Sequence, residues 1–358
     1  MTANRHGRAG LMAVAVAMLA GSALGVASAI PASGAAPQPG ESGYHLKKKI
    51  KVGGEGGWDY ITFDSGTRRL FISRGSRVVV LDVDSDKVVG EIPETPGVHG
   101  IALAPEFNRG FVSNGRSNNV TIFDLKTLAT IGHAAAGQNP DAIIYDPASK
   151  RVFAMNGRSG DITAIDAATG DVAATIPVGG KLEFAAADGK GRVYVNVEDK
   201  SEMAEIDAKK FTVLSRWPMA PCDEPSGLAM DTAHRRLFAG CGNKMMAVID
   251  ADNGKVIATP AIGDGVDANG FDPGTDFAFA SCGEGVLTVV HEDAPDKFTV
   301  AENVPTQRGA RTMTLDPKTH EVYLVTAEFG PRPEPTKDNP RPRPPMVPDT
   351  FTVLVFSR

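Results

Sequence analysis

The chain has 358 residues, among them 39 glycines and 25 prolines, and its formal net charge is −6. A mildly acidic protein has no global attraction for phosphate groups, which argues against non-specific binding to nucleic acid or to an anionic membrane. Its three cysteines show neither CxxC nor CxxCH spacing, so zinc-ribbon, thioredoxin-like and c-type haem chemistry have no support.

The N-terminus has the features of an export signal. Arg5 and Arg8 precede an apolar run, and residues 27–29 (Ala-Ser-Ala) form a small-residue cleavage site. A retained membrane anchor is the alternative, although the glycines and alanines of the run would make a weak span. We predict a signal peptide over residues 1–29, a disordered linker over 30–43, and a periplasmic or secreted mature protein with no membrane span.

Seven positions recur along the chain at steps of 40 to 44 residues. They are Asp64, Ala104, Asp146, Asp188, Asp231, Asp272 and Asp316. Each follows a short apolar run and precedes a turn and a second apolar run. A period of 40–45 residues built from short strands is typical of β-propellers. The pattern predicts an all-β, seven-bladed β-propeller over residues 44–358.

The two ends of the chain are predicted to share the last blade. Blade 7 lacks a fourth strand at its C-terminal end, and residues 44–52 (YHLKKKIKV) would supply it and close the ring. Residues 329–349 hold eight prolines in 21 residues, which predicts a loop inserted in blade 7. This loop would cover the funnel as a lid, present a proline motif to a partner, or be a solvated loop.

A shorter phrase within the repeats carries a family resemblance. It reads FVSNGRSNNVTIFDLKT in blade 2, FAMNGRSGDITAIDAATG in blade 3 and VYVNVEDKSEMAEIDAKK in blade 4. These phrases resemble those of YVTN-repeat propellers, and residues 44–358 are similar to the YncE-like group of exported bacterial seven-bladed propellers. The resemblance is specific for the fold. It implies no single function, because the group includes binding proteins as well as lactonase-like and electron-transfer relatives. Blades 5 and 6 depart from the phrase, with Cys241 and Cys282 in place of its asparagine.

One disulfide is expected in an oxidising compartment. Cys222 precedes the first strand of blade 5 and Cys241 ends its second strand, so both lie at the same edge of an antiparallel blade. We predict the bridge Cys222–Cys241, with Cys241–Cys282 as the alternative. The glycine-rich stretch over residues 53–57 opens no helix, and neither a nucleotide nor a c-type haem is expected as cofactor.

Ionisable residues open the innermost strands of most blades. They are Asp59, His99, Asp141, Glu183, Ser226 with Glu224, Asp267 and Arg311. Because innermost strands line the axial channel, these side chains are predicted to surround one funnel that binds a cation or a small hydrophilic ligand. The predicted ligands of a divalent cation are Asp59, Asp141, Glu183 and Asp267, with His99 as a further ligand or a general base. Charges that are merely solvated at a wide channel mouth are the alternative.

Three arginines follow the second strands of successive blades. Arg74, Arg116 and Arg158 could form a positive arc at the same funnel, suited to carboxylate or phosphate groups. They could instead pair with the funnel carboxylates and cancel the arc. The asparagines beside them, such as Asn114 and Asn156, are predicted to be structural.

These observations support three functions in descending order. The first is a monomeric exported propeller that binds a small polar ligand, a metal ion or a protein partner without catalysis. The second is a metal-dependent, lactonase-like hydrolase or a lyase, in which a cation polarises a carbonyl and His99 is the catalytic base. The third is nucleic-acid binding through the arginine arc, which the acidic composition disfavours.

Overall fold

The structure is a computed structural model that describes residues 42–337, 340 and 342–358. The predicted signal peptide and the predicted linker up to residue 41 lie outside the described residues. Within them, the chain forms seven four-stranded antiparallel sheets, the blades of a β-propeller, which confirms the predicted fold class. No helix in this part of the chain is long and apolar enough to cross a membrane.

The strands follow the blades in chain order after one N-terminal strand, β1 (His45–Lys51). Blade 1 contains β2 (Ile61–Asp64), β3 (Arg69–Arg74), β4 (Arg77–Asp82) and β5 (Lys87–Ile92). Blade 2 contains β6 (Val98–Ala104), β7 (Arg109–Asn114), β8 (Asn119–Asp124) and β9 (Thr130–Ala135). Blade 3 contains β10 (Pro140–Asp146), β11 (Arg151–Asn156), β12 (Asp161–Asp166) and β13 (Val172–Pro177).

The remaining blades repeat this order. Blade 4 contains β14 (Leu182–Ala187), β15 (Arg192–Val197), β16 (Glu202–Asp207) and β17 (Thr212–Pro218). Blade 5 contains β18 (Pro225–Asp231), β19 (Arg236–Cys241), β20 (Met245–Asp250) and β21 (Val256–Ala258). Blade 6 contains β22 (Val266–Asp272), β23 (Phe277–Cys282), β24 (Val286–Ala294) and β25 (Lys297–Pro305). Blade 7 contains β26 (Met313–Asp316), β27 (Glu321–Thr326), β28 (Thr352–Ser357) and β1. Two short 3₁₀ turns occur at Pro105–Phe107 and Glu198–Lys200.

The N-terminal strand closes the last blade, as predicted. Strand β1 pairs antiparallel with β28, from His45 opposite Ser357 to Lys51 opposite Thr352. Ser42, which was predicted to belong to the linker, contacts the propeller. Its hydroxyl donates to Glu302 over 2.6 Å, and its carbonyl accepts from Arg358 Nε over 2.8 Å.

Burial explains why the strands of one blade differ in sequence. Strand β11 is buried at five of its six positions, because neighbouring blades cover both of its faces. The outermost strand β13 is exposed at most positions, since only one of its faces meets a neighbour. The middle strands therefore read as nearly continuous apolar runs, and the outer strands as mixed ones.

The recurring aspartates, here called anchor aspartates, shape the turn between the first two strands of a blade. Their carboxylates accept hydrogen bonds from backbone amides two or three residues later, such as Ser149 N to Asp146 Oδ2 at 2.9 Å. The position four residues after the anchor is left-handed in most blades, at φ 53–60°. It is occupied by Arg68, Asn108, Lys150, Arg235, Asp276 and His320.

In three blades, the basic residue at this left-handed turn position contacts the anchor aspartate of the preceding blade. Arg68 Nη1 lies 2.6 Å from Asp316 Oδ2. Arg235 Nη1 lies 3.4 Å from Asp188 Oδ2, and His320 Nδ1 lies 2.7 Å from Asp272 Oδ2. The anchors thus link blades as well as form turns, on the face opposite the predicted funnel.

The predicted disulfide Cys222–Cys241 is formed. It ties the chain that enters blade 5 to the end of β19. The alternative bridge between Cys241 and Cys282 is excluded, because Cys282 is a free and buried thiol.

Candidate functional site

A cavity of about 600 Å³, here called the funnel cavity, lies where the innermost strands begin. Its polar lining includes Asp59, Asp141, Glu183, Asp267 and Arg311, and its apolar lining includes Trp58, Phe329 and Met346. The structure therefore brings together most of the ionisable residues predicted to surround the funnel. Among protein pockets, this size suits a small molecule and greatly exceeds a single ion.

His99 lies beside two of these carboxylates. Its Nδ1 donates a hydrogen bond to Asp59 Oδ2 over 2.6 Å, and Asp141 Oδ1 is 3.5 Å from the same nitrogen. Hydroxyl groups of the second strands fix both strand openings, since Ser73 Oγ accepts from Asp59 N and Ser113 Oγ donates to Asp141 O. The potential ligand atoms of the three residues lie within 4.8 Å of one another, close enough to share one divalent cation.

Arg311 neutralises the neighbouring part of the cavity. Its Nε lies 2.5 Å from Asp267 Oδ2, its Nη2 lies 3.4 Å from Asp59 Oδ1, and Ser226 Oγ donates to Asp267 Oδ1 over 3.2 Å. Burial alone would lower the pKa of Arg311, but Asp267 and Asp59 raise it, so the guanidinium stays charged. Burial raises the pKa of Asp267, and Arg311 offsets only part of that effect.

Glu183, another residue of the cavity lining, contacts the side chains of Lys181 and Tyr60. Lys181 Nζ is 2.8 Å from Glu183 Oε1 and also contacts Glu198. The Tyr60 hydroxyl donates to Glu183 Oε2 over 3.5 Å, and its ring packs edge-on against Phe184 at 4.9 Å between centroids. Burial raises the pKa of Tyr60 far above its usual range, so this hydroxyl remains a donor.

The carboxylates of the cavity are not fully neutralised by the cations beside them. Burial and the charge of Asp141 raise the pKa of Glu183 to about 8. Burial raises the pKa of Asp141 to about 6, with His99 opposing and Asp59 adding to the effect. Burial would lower the pKa of His99, but the hydrogen bond to Asp59 and the charge of Asp141 raise it overall. A cation bound among these groups would stabilise their ionised forms.

The proline-rich segment (residues 329–349) borders the funnel cavity at both of its ends. Phe329 pairs with Met346 in an isolated antiparallel bridge, and Gly330 N donates to Pro345 O over 2.9 Å. The Phe329 ring lies 6.0 Å from the Trp58 ring. Arg343 and Pro344 also line the cavity. The described part of the segment therefore forms one side of the funnel cavity.

Arg74 does not line the funnel cavity, so its predicted role in ligand binding is corrected. Its side chain is fully buried. The guanidinium donates to the carbonyl oxygens of Gly53, Gly54 and Gly56, and it lies 3.8 Å above the Phe351 ring. Burial lowers the pKa of Arg74 to about 10. The residue holds the glycine-rich loop, whose carbonyl oxygens take the place of an anionic ligand.

We expect Arg74→Met to destabilise the fold strongly. Methionine fills much of the space but removes the donor of three buried or half-buried carbonyl groups, which should cost about 2–4 kcal/mol in the free energy of unfolding. The control is Arg116→Met, an exposed arginine two residues after the position in blade 2 that corresponds to Arg74, with an expected change of about 0.5 kcal/mol or less. Urea denaturation of both variants measures the difference, and equal midpoints would contradict the role assigned to Arg74.

The other residues of the predicted arc are at the surface. Arg116 and Arg158 are exposed, and neither forms an ion pair with a described residue. They therefore show neither the predicted pairing with funnel carboxylates nor a place in the cavity lining. Glu224 is also exposed and borders a separate shallow pocket with Glu198 and Asp223, so it is not part of the funnel cavity as predicted.

The structural role predicted for the asparagines matches their contacts. Asn114 Nδ2 donates to Asn119 Oδ1 and to Thr121 Oγ1, both at 2.8 Å. Asn156 makes the equivalent bonds to Asp161 and Thr163. In blades 2 and 3, these buried amides tie the second strand of the blade to the third.

Three polar residues at the cavity were missed in the sequence: Tyr60 and Arg343, which line it, and Lys181, which contacts Glu183. Lys181 lies two positions before Glu183 and Tyr60 directly follows Asp59, so both belong to the same strand openings as residues that were identified. Arg343 lies inside the proline-rich segment. This segment is not part of the repeat, so the repeat does not predict where its residues lie. Position relative to the strand opening was therefore the available signal for two of the three.

Comparison with known proteins supports the fold and leaves the function open. No family model and no curated protein matches the chain. Among solved structures, a chain of hydrazine synthase from Kuenenia stuttgartiensis is similar, with a TM-score of 0.66 and 17% sequence identity over 79% of this chain and 95% of that chain. At that identity the likeness concerns the fold alone, and it supports the β-propeller.

Proposed function

We propose that the chain is an exported β-propeller of the YncE-like type that binds a divalent cation, together with a small polar ligand, in the funnel cavity. The observation that carries this proposal is the excess of carboxylates around one cavity. They are Asp59, Asp141, Glu183 and Asp267. Arg311 and Lys181 offset them only in part, and a cation would complete the balance.

The cation would bind to Asp59, His99 and Asp141. Two carboxylates and one imidazole suit Zn²⁺ or Mn²⁺ better than Ca²⁺, which prefers oxygen ligands alone. His99 Nδ1 would give up its proton to bind the ion. Glu183 and Asp267, which were predicted as ligands, would act on the ion through charge, because their closest contacts are with Lys181 and Arg311.

A metal-dependent hydrolase or lyase of the lactonase-like kind is the second candidate. It is favoured by the volume of about 600 Å³, since one water molecule occupies only about 30 Å³. Trp58 and Phe329 offer an apolar wall and Arg311 a cation for a bound carbonyl compound. His99 would serve as the base through its Nε2, because its Nδ1 is engaged with Asp59. We place binding first because the excess of carboxylates supports it directly, whereas hydrolysis also requires a substrate carbonyl in the cavity.

Nucleic-acid binding is the weakest of the three alternatives. This hypothesis requires three arginines at the mouth of the funnel. The guanidinium of Arg74 is instead buried against backbone carbonyl groups. Two exposed arginines on an acidic protein give little attraction for a phosphate backbone.

The proposal can be tested with a fluorescent reporter that the chain already contains. Trp58 and Trp217 are its two tryptophans, and Trp58 lines the funnel cavity. In a Trp217→Phe variant, titration with Zn²⁺ or Mn²⁺ should therefore change the emission of Trp58 with saturable, EDTA-reversible behaviour. The melting temperature should rise in the same range of metal concentration, because binding to the folded state alone stabilises it.

Two controls give this experiment its specificity. Mg²⁺ at the same concentration should have a much smaller effect, since it binds imidazole poorly. The Trp58→Phe variant, which keeps only Trp217, should show no change of emission. If Trp58 emission stays constant while the metal is in excess, cation binding in the funnel is refuted. Hydrolysis of a panel of lactones by the metal-loaded chain would promote the second candidate.

A further inference from the structure

A second group of potential metal ligands lies between blades 5 and 6, on the face opposite the funnel cavity. Asp231 is the anchor aspartate that ends β18, His234 lies in the turn after it, and Glu292 lies near the end of β24. His234 Nδ1 is 2.7 Å from Asp231 Oδ2 and 3.1 Å from Glu292 Oε1. The three potential ligand atoms lie within 4.8 Å of one another.

The junction of blades 5 and 6 lacks the basic residue that links blades at three other junctions. In blades 1, 5 and 7, a basic residue at the left-handed turn position reaches the anchor aspartate of the preceding blade. In blade 6 that position is Asp276, which has the same positive φ of 55° but carries a negative charge. The junction of blades 5 and 6 therefore has an acidic residue at the position where these three junctions have a basic one.

Glu292 adds a buried carboxylate without a hydrogen-bond partner. Its side chain is 2% exposed, and neither of its oxygens forms a hydrogen bond with any described residue. The Arg236 guanidinium does not hydrogen-bond Glu292, because it donates to the backbone oxygens of Pro295 and His234. A buried acid in this state is costly unless something binds it.

We propose that Asp231, His234 and Glu292 bind one divalent transition-metal ion that links blades 5 and 6. The ion takes the place of the basic residue that the turn of blade 6 lacks. Two carboxylates and an imidazole are a ligand set for Zn²⁺ or Mn²⁺. Access is open from solvent, because the His234 side chain is 47% exposed.

A protonated His234 explains these contacts less well than a metal ion does. One proton on Nδ1 can serve one carboxylate, and the oxygens of Glu292 are without a hydrogen bond although Nδ1 is near. A metal ion can accept bonds from both carboxylates and from the imidazole at once. It would also offset the repulsion among Asp231, Glu292 and Asp276.

The test uses the chain with His99→Gln and Asp141→Asn, which removes the proposed ligands of the funnel cavity. Calorimetric titration of this metal-free parent with Zn²⁺ and with Mn²⁺ should show one ion bound per chain, with a rise in melting temperature. Adding Glu292→Gln should weaken binding by about 100-fold or more, because a charged ligand is lost. The metal-free Glu292→Gln chain should melt at or above its parent, which confirms that it is folded.

Two further variants separate a metal site from a merely structural cluster. Asp276→Arg should raise the melting temperature without metal and weaken metal binding at least about 10-fold, because a guanidinium would occupy the place of the ion. The matched control is His320→Gln, which alters a similar histidine–aspartate pair in blade 7 and should leave metal affinity unchanged. Absence of binding to the parent, or unchanged affinity after Glu292→Gln, would overturn the proposal.

Discussion

A chain that starts at Gly53 should fail to form the closed propeller. Without β1, strand β28 becomes an open edge, and the apolar side chains of blade 7 lose the cover of Tyr44 and Ile50, which are both buried. Burial of each such side chain is worth about 1.5–3 kcal/mol, and each backbone hydrogen bond adds about 1 kcal/mol. The sum of these losses approaches the whole stability of a typical domain, about 5–15 kcal/mol.

The measurement is thermal or urea unfolding followed by circular dichroism. The truncated chain should show no cooperative transition and should bind a hydrophobic dye, whereas a control chain that starts at Ser42 should unfold cooperatively. A synthetic peptide of residues 42–52 should restore part of the transition when it is added in excess, because it can pair with the same edge. Equal melting of the two chains would show that β1 does not hold the ring closed.

The double variant His99→Gln and Asp141→Asn should abolish cation binding in the funnel cavity. It removes one charged ligand and one imidazole from the three proposed ligands, so affinity for Zn²⁺ or Mn²⁺ should fall by about 100-fold or more. The fold should be retained, since both replacements nearly keep the size of the side chain and a neutral amide at position 141 no longer repels its acidic neighbours.

Titration of Trp58 emission in the Trp217→Phe chain measures this affinity without interference from the opposite face. Glu224→Gln is the matched control, because it removes one negative charge at an exposed position outside the cavity. It should change the affinity by less than about twofold, as expected from screened, distant charges. A double variant that still shifted Trp58 emission at the original metal concentration would remove these residues from the site.

The fold could be predicted because one local pattern is repeated seven times. Each anchor position marks the end of an innermost strand. Counting back along the strand from the anchor then identifies the residues at which that strand begins. Asp59, Asp141, Glu183, Asp267 and Arg311 line one cavity for that reason. The choice between two disulfides remained open in the sequence, because only the path between blades 5 and 6 decides which thiols meet.

Residues whose surroundings come from loops could not be predicted in the same way. Arg74 occupies the repeat position of Asn114 and Asn156 at the end of a second strand, but it donates to the carbonyl oxygens of Gly53, Gly54 and Gly56 in a loop outside the repeat. The contact between Glu292 and the turn of blade 5 depends on how two blades pack against each other. The spacing of the repeats in the sequence does not predict such packing. Departures from the repeat, such as Asp276 in place of a basic residue, are the sequence signal that such contacts leave.

The pairing of β1 with β28 also constrains when this protein can finish folding. The contact between Ser42 and Arg358 spans 316 positions, so the last blade cannot be completed during synthesis until nearly the whole chain is available. Until then, six blades can assemble in order from neighbouring strands, while β1 has no partner. Pairing over such a long separation carries a large loop-closure cost and is slow. We therefore expect the joining of the two ends to be a late step of folding, and an open ring to expose unpaired strand edges until that step.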